Sequence, residues 1–338
     1  KGSGRTKFSR NGDGRLTLKG AVREVLCSEY LNALGVNTSR SISLIETGEK
    51  LYRNDEPSPT RSAVLVRASH SHIRIGSFQY QAYHRNTKNI ESLINYTCKN
   101  YFNLSTSHHL ELDFFHEVVD RLAMLAASYT VSGFVHGVLN TDNINITGES
   151  FDYGPYRMLE YYDLEKIAAY FDHSGLYKFG NQADAIFWNI QQLASIMTIF
   201  IDKDKLIDLL KKYPNLYNKY LIKILFKRLE IVMKSDTENQ DLLKVFYELS
   251  SSKKFLYEEV FFDFKNIQLN EDLVNKKYSS YSFLKEFKKF EKTNDVRSSN
   301  KEIVTLLYDE IEKIWQSIND KDDWSLFDNK LKSINKML

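Results

Sequence analysis

What most restricts the fold of this chain is a change of hydrophobic period part-way along it. Up to about residue 85 the apolar residues come in short runs, "SISLI", "KLYR", "SAVLVRAS" and "HIRIGSFQ", each bounded by Gly, Pro or Asp, and such runs read as strands. "ETGE" reads as a turn between the first two. One helix is expected in the same region: in "LTLKGAVREVLCSEYLNALG" the residues Leu18, Val22, Val25 and Leu26 follow helical spacing and stop at Gly35. From "DFFHEVVDRLAMLAASYTVSG" onward the period is helical, with Phe115, Val118, Val119, Leu122 and Leu125 on one face and Gly133 as the stop. A buried helix is expected around Ile186 to Met197, and helical spacing returns after residue 251, as in "IVTLLYDEIEKIWQSI". The expected fold class is therefore α+β. A small α+β lobe covers residues 1–85, an α-rich lobe 86–250 and a peripheral helical extension 251–338, with no internal repeat. A chain of 338 residues can bury a core of that size.

Composition narrows the partners. Lys plus Arg (46) balance Asp plus Glu (44), so the net charge of +2 gives no electrostatic reason to expect nucleic acid or an anionic membrane. Any basic site must be local. The longest apolar run, "LASIMTIFI" from Leu193 to Ile201, is too short to cross a bilayer and reads as a core helix. Cys27 and Cys98 stand far apart and outside any CxxC pattern, which argues against a zinc site or a disulfide framework. A cytoplasmic, monomeric protein is expected. The chain opens at Lys1 inside a Gly-rich segment, with neither an initiator Met nor a signal-peptide pattern, as a fragment lacking its true N-terminus does.

The chemistry concentrates in "FVHGVLNTDNINITGESFDYGP", residues 134 to 155, which resembles the catalytic and metal-binding loops of a protein kinase. In the pattern H-R-D-L-x-x-x-N the Asp is the catalytic base, and Val138 stands in its place, while Asn143 matches the Asn. "DYG", Asp152 to Gly154, stands where a kinase keeps its magnesium-binding D-F-G. Magnesium takes hard oxygen ligands, few of them from protein, and Asn143 with Asp152 supplies such a pair. The stretch "INITGESF" between them reads as a hairpin that returns both to one cleft edge. Singly, Asn143 reads as a turn residue and Asp152 as a cap; in one loop they read as a metal pair. Asp142 is the carboxylate of this loop placed to take the missing base role, its alternative being a solvated turn carboxylate. His136 is expected to support the backbone. Phosphates need amides and point charges, and Lys1, the loop around Asp13 and Gly14, Arg67 and Arg74 offer them, with Glu24 as a helix partner for Lys1. The histidines of "SHSH" and the pair His108 and His109 are expected on exposed loops rather than on a metal.

Taken together, "GFVHGVLNTDN", "FDYGP" and "NQADAIFWNIQQLA", with the opening "KGSGRTKFSRNGDGRLTLKGAVREVLCSEYLNALGV" and the R-x6-R segment "VRASHSHIRIGSF", resemble the selenoprotein O family (SelO, YdiU-like). The likeness runs from Lys1 to about residue 200, with weaker echoes through "LYEEVFFDF". It implies a two-lobed, protein-kinase-like fold and transfer of AMP from ATP to Ser, Thr or Tyr hydroxyls of protein substrates, with the nucleotide reversed relative to a kinase. By the same resemblance, Lys1, Asp13, Gly14, Arg67, Arg74 and Asp152 bind the nucleotide and Glu24 orients Lys1. Asp142 accepts the proton, and Asn143 and Asp152 hold magnesium, or manganese in its place. The base position of a kinase is then vacant because a different phosphorus reacts. The segment after "DYGP" and the terminus "LKSINKML" lack the family's Cys, so disulfide-based control is not expected. A γ-phosphoryl-transferring kinase, against which Val138 speaks, and a nucleotide-binding pseudokinase scaffold are the alternatives.

Overall fold

The computed structural model describes the chain except for Arg10, Asp55, residues 105–107 and residues 294–301. Strand β1 (Leu16–Thr17) leads directly into helix α1 (Leu18–Ala33), whose N-terminus is capped by the Thr17 hydroxyl accepting from Gly20 N. Strands β2 (Arg40–Leu51) and β3 (Thr60–Ala68) complete an antiparallel sheet of order β1-β3-β2, in register at Leu44 against Leu65 and Leu16 against Ala63. The expected turn at "ETGE" is instead a bulge inside β2: the register shifts between Glu46 and Lys50, and Gly48 absorbs the kink with φ 74°. "HIRIGSFQ" is not a strand. Helix α2 (Ile75–Tyr83) begins inside it, because Ile75 and Phe78 bury one face at helical spacing and Arg74 turns the chain.

Helices α3 (Thr87–Thr97) and α4 (Leu110–Ser132) follow. Glu111 and Asp113 in the first turn of α4 suit the positive end of its dipole, and Gly133, with φ 65°, ends it as the sequence predicts. The short strands β4 (Phe134–Val135) and β5 (Arg157–Met158) pair antiparallel. Then come α5 (Gln182–Met197), α6 (Lys203–Leu210), α7 (Tyr213–Leu229), α8 (Asp236–Ser251), α9 (Tyr257–Lys265), α10 (Glu271–Tyr278), α11 (Ser282–Phe287), α12 (Tyr308–Lys321) and α13 (Ser325–Asn335). The chain is α+β. Among the described residues no helix is long and apolar enough to cross a membrane.

Two apolar cores share α4. Phe115, Val118, Val119 and Leu122 pack with α1, α2 and α5, whereas Ala127 and Val131 pack with α7, α8, α9 and α11. The last helices return to the first core, where Ile311, Ile314, Ile318 and Ile334 are buried with residues of α1. Polar contacts fasten them there: Lys19 to Glu312 at 2.7 Å, Tyr30 OH donating to Val304 O at 2.9 Å, and Arg61 donating to Asp322 and to Ile318 O, each at 2.8 Å.

Candidate active site

Four of the charged residues singled out in the sequence converge. Lys1 runs antiparallel to β3, its main-chain N donating to Leu65 O at 2.6 Å and its O accepting from Leu65 N at 2.9 Å. Side chains two apart on a strand share a face, so Arg67 projects with Leu65 beside Lys1. Helix α1 lies across that face and contributes Glu24, which is 2 % exposed. The Glu24 carboxylate divides its oxygens: Oε2 accepts from Lys1 Nζ at 2.7 Å and Oε1 from Arg67 Nη1 at 2.5 Å. Lys1 Nζ also donates to Asp152 Oδ1, and Arg67 Nη1 lies 3.9 Å from the same oxygen. The Phe151 ring lies 5.3 Å from the Arg67 guanidinium.

Two cations and two carboxylates therefore neutralise one another in a partly dry site. Burial alone would lower the Lys1 ammonium, but the charges of Glu24 and Asp152 and the hydrogen bonds to both hold it above the ordinary lysine value. Burial would raise the Asp152 carboxyl, yet Lys1, by charge and hydrogen bond, and then Arg67 bring it below the ordinary carboxylate value. Asp152 sits at φ 67°, a left-handed conformation that Asp tolerates better than most residues.

The loop of residues 136 to 152 is built from the main chain. The expected hairpin at "INITGESF" does not form. The β4–β5 pair brackets the whole loop, and the strand-like residues inside it bridge outward, Asn145 to Arg74 and Ser150 to Thr38. From the α5 side, Gln182 accepts from His136 N at 2.9 Å and donates to Phe134 O at 2.7 Å, while Asn189 donates to Leu139 O at 2.7 Å. These buried amides on an otherwise apolar helix face were a visible sequence signal that motif reasoning left without a role. Inside the loop a hydrogen-bond chain joins the two metal candidates. Asn143 Nδ2 donates to Val138 O at 2.9 Å, Val138 N to His136 Nδ1 at 3.4 Å, and His136 Nε2 to Phe151 O at 3.1 Å, next to Asp152. Burial pushes the His136 imidazole below its ordinary value, so the ring is neutral, with one nitrogen donating and the other accepting. It supports the backbone, as the sequence predicts.

The remaining residues fall outside the four-charge cluster. Arg74 donates from Nη1 to Asp142 O at 2.9 Å and so belongs to the loop, where Asp142 and Asn143 are half-buried. Asp13 is held by Arg53, Nη1 to Oδ2 at 2.8 Å, and accepts from Arg15 N at 2.9 Å. Gly14, with φ 70°, lies against Gly4, where a Cβ would overlap Gly4 O. Arg53 was not among the expected site residues. His70, His72, His108 and His109 are exposed, although His70 Nδ1 also meets the buried Glu149 at 2.8 Å.

The result is a cluster of two cations and two carboxylates, the charge arrangement that suits a polyanion with its counter-cation, and Asp152 ties it to the loop that carries Asp142 and Asn143. The family model of protein adenylyltransferase SelO matches residues 1–335. The protein nucleotidyltransferase YdiU of Synechocystis sp. is 38% identical over 364 residues, covering 99% of this chain and 76% of the relative. The protein of the same name from Trichodesmium erythraeum is 36% identical, with 99% and 76% covered, and that from Gloeobacter violaceus is 52% identical over 202 residues, with 60% and 42% covered. The chain belongs to the SelO protein adenylyltransferase family.

Proposed function

We propose that the protein moves AMP from ATP onto Ser, Thr or Tyr hydroxyls of other proteins, with a divalent cation, magnesium or manganese, as cofactor. The observation that carries this reading is the joining of Lys1, Glu24, Arg67 and Asp152 in one cluster beside a loop whose kinase-base position is Val138. Lys1 and Arg67 take phosphate oxygens, and Glu24 keeps both cations oriented. Arg74, Asp13 and Gly14 belong to the nucleotide side in the same reading. Among the described residues no group of three or more His, Cys, Asp or Glu forms a protein cage for a metal. Asn143 and Asp152 fit a hard cation that draws its other ligands from phosphate and water, and when bound it would neutralise charge on the phosphates.

Asp142 accepts the proton of the acceptor hydroxyl as that oxygen bonds to the α-phosphorus. The bond from the α-phosphorus to the bridging oxygen breaks, and pyrophosphate leaves. The nucleotide lies reversed relative to a kinase. The frame we propose is kinase-like and two-lobed, with residues 1–85 and 86–250 on either side of the site and 251–338 as an added helical region. The protein acts as a cytoplasmic monomer, with ATP and protein substrates as partners.

The test is transfer of label from ATP to protein. Label at the α-phosphate is expected on the acceptor and is released by phosphodiester cleavage, while label at the γ-phosphate is not retained. Retention of γ-label alone makes the protein a kinase. Retention of neither, over a range of protein acceptors, makes it a nucleotide-binding scaffold.

A further inference from the structure

The side chain of Asp142 rests against a residue outside its own loop. Gly76 is the second residue of α2, and a Cβ built on it would overlap Asp142 Oδ1 while lying 3.4 Å from Asp142 Cγ and 3.3 Å from Thr141 O. The Asp142 carboxylate thus occupies the volume that any side chain at position 76 would fill. Gly76 is helical and has no left-handed φ, so its backbone is one that any residue adopts. Helix propensity would favour Ala there. What a side chain at 76 would meet is the Asp142 carboxylate, with Thr141 O close behind it.

The surrounding main chain makes this contact rigid. Gly76 N donates to Thr141 O at 2.8 Å, Ile75 N to Ile144 O at 3.1 Å, and Arg74 Nη1 to Asp142 O at 2.9 Å. One turn further along α2, Gln79 Oε1 accepts from Thr141 Oγ1 at 2.6 Å. With residues 141 to 144 clamped to the first turns of α2, a side chain at 76 cannot be accommodated by moving the loop. It must move the carboxylate. We propose that Gly76 is a positioning residue for Asp142: it leaves the space that fixes where the carboxylate stands. This rests on the reading of Asp142 as proton acceptor, and it adds that the segment from Arg74 to Gln79 serves proton transfer as well as phosphate binding.

The experiment is a double-mutant cycle on the full chain with Gly76→Ala, Asp142→Asn and both together, read by single-turnover AMP transfer and by magnesium-ATP titration. Gly76→Ala is expected to slow transfer on the order of 10²-fold, the usual result of displacing a reacting group by about 1 Å, while the Kd for magnesium-ATP stays within about twofold. In the Asp142→Asn background Gly76→Ala should cost little more, because the group it displaces has already lost its function. Equal fractional losses in both backgrounds, or a Gly76→Ala enzyme at the wild-type rate, would overturn the assignment while leaving Asp142 as the proton acceptor. A wild-type rate for Asp142→Asn overturns the proton-acceptor reading itself, and the assignment with it. Should Gly76→Ala fold poorly, thermal unfolding gives a second readout: Asp142→Ala in the same chain should restore Tm by vacating the overlapped space, and failure to restore it sinks the assignment.

Discussion

The four-charge cluster and the Asp142 loop stand side by side but are held in place by different physics. Lys1, Glu24, Arg67 and Asp152 come from four separate parts of the chain, and while the backbone places them, their side chains are held to one another through charge, each ion requiring the others because water is partly excluded. The Asp142 loop is fixed by main-chain hydrogen bonds to α5 and to the start of α2. An electrostatic cluster can exchange partners when a polyanion arrives. A loop pinned through its backbone cannot. In the proposed reading phosphate binding falls to the adaptable region and proton transfer to the rigid one.

Breaking the metal side should have the largest effect. Asp152→Ala removes the proposed metal ligand together with a counter-ion of Lys1, and transfer is expected to fall ~10³-fold or more, with metal-dependent ATP binding lost in the same titration. If Asp152→Ala binds magnesium-ATP normally, the two regions do not divide as described. Next comes Asp142→Asn, expected to slow single turnovers roughly 10²- to 10⁴-fold with magnesium-ATP affinity near wild type. Weakened affinity in that variant would place Asp142 with the cluster rather than apart from it.

Glu24→Gln keeps the shape and removes the charge, leaving Lys1 and Arg67 with Asp152 as their nearby carboxylate. Since Lys1 is partly exposed and can turn to water, a loss of about 2 kcal/mol in urea unfolding is expected rather than the full cost of an orphaned buried pair. An unchanged stability would mean that the cluster is held by packing instead of charge.

The loop should show itself in a pH dependence. Burial depresses the His136 value, so over the interval from that depressed value up to about 6.5 the unfolded chain binds a proton that the folded one does not. Stability is therefore complete above about pH 6.5 and falls as pH drops, by at most about 1.4 kcal/mol per pH unit from this group. The depressed Asp152 adds a loss of the same sign below about pH 4. Urea unfolding at pH 7.5 and 5.5 should show the slope in the wild type and a shallower one in His136→Gln; identical slopes would show that a neutral buried imidazole is not its source. The smallest effect is expected at Asp13, whose pair with Arg53 is open to solvent: Asp13→Asn should change ATP affinity by less than about threefold.

Much of the frame was legible because long amphipathic helices carry their own period. Leu18 to Leu26 in α1 and Phe115 to Leu125 in α4 each turn one face to a core, and glycines close both helices. Short segments misled. "HIRIGSFQ" alternates like a strand over a few residues, but only Ile75 and Phe78 among them are buried by α2, and a window that short does not separate the two periods. "INITGESF" alternates too, yet its partners are Thr38 and Arg74, chosen by the tertiary fold rather than by its own turn. In the site, the pairing of Lys1 with Glu24 was readable by resemblance and the supporting role of His136 from its loop. The contact of Gly76 with Asp142 was not, because nothing in a linear sequence marks which glycine another loop's carboxylate will touch.

The packing of α12 and α13 onto α1 has a consequence for how the chain comes into being. Lys19 meets Glu312 across 293 positions, Tyr30 meets Val304 across 274, and Arg61 meets Asp322 across 261. During synthesis these loops cannot close until residues beyond 304 have left the ribosome, and contacts of such long sequence separation form late in any case. Until then α1 holds Glu24 on a helix with part of its apolar surface uncovered. Nascent chains of this protein thus spend most of translation with one apolar face of α1 uncovered, and a chain stopped before α12 keeps that face open, the kind of surface that chaperones and proteases act on.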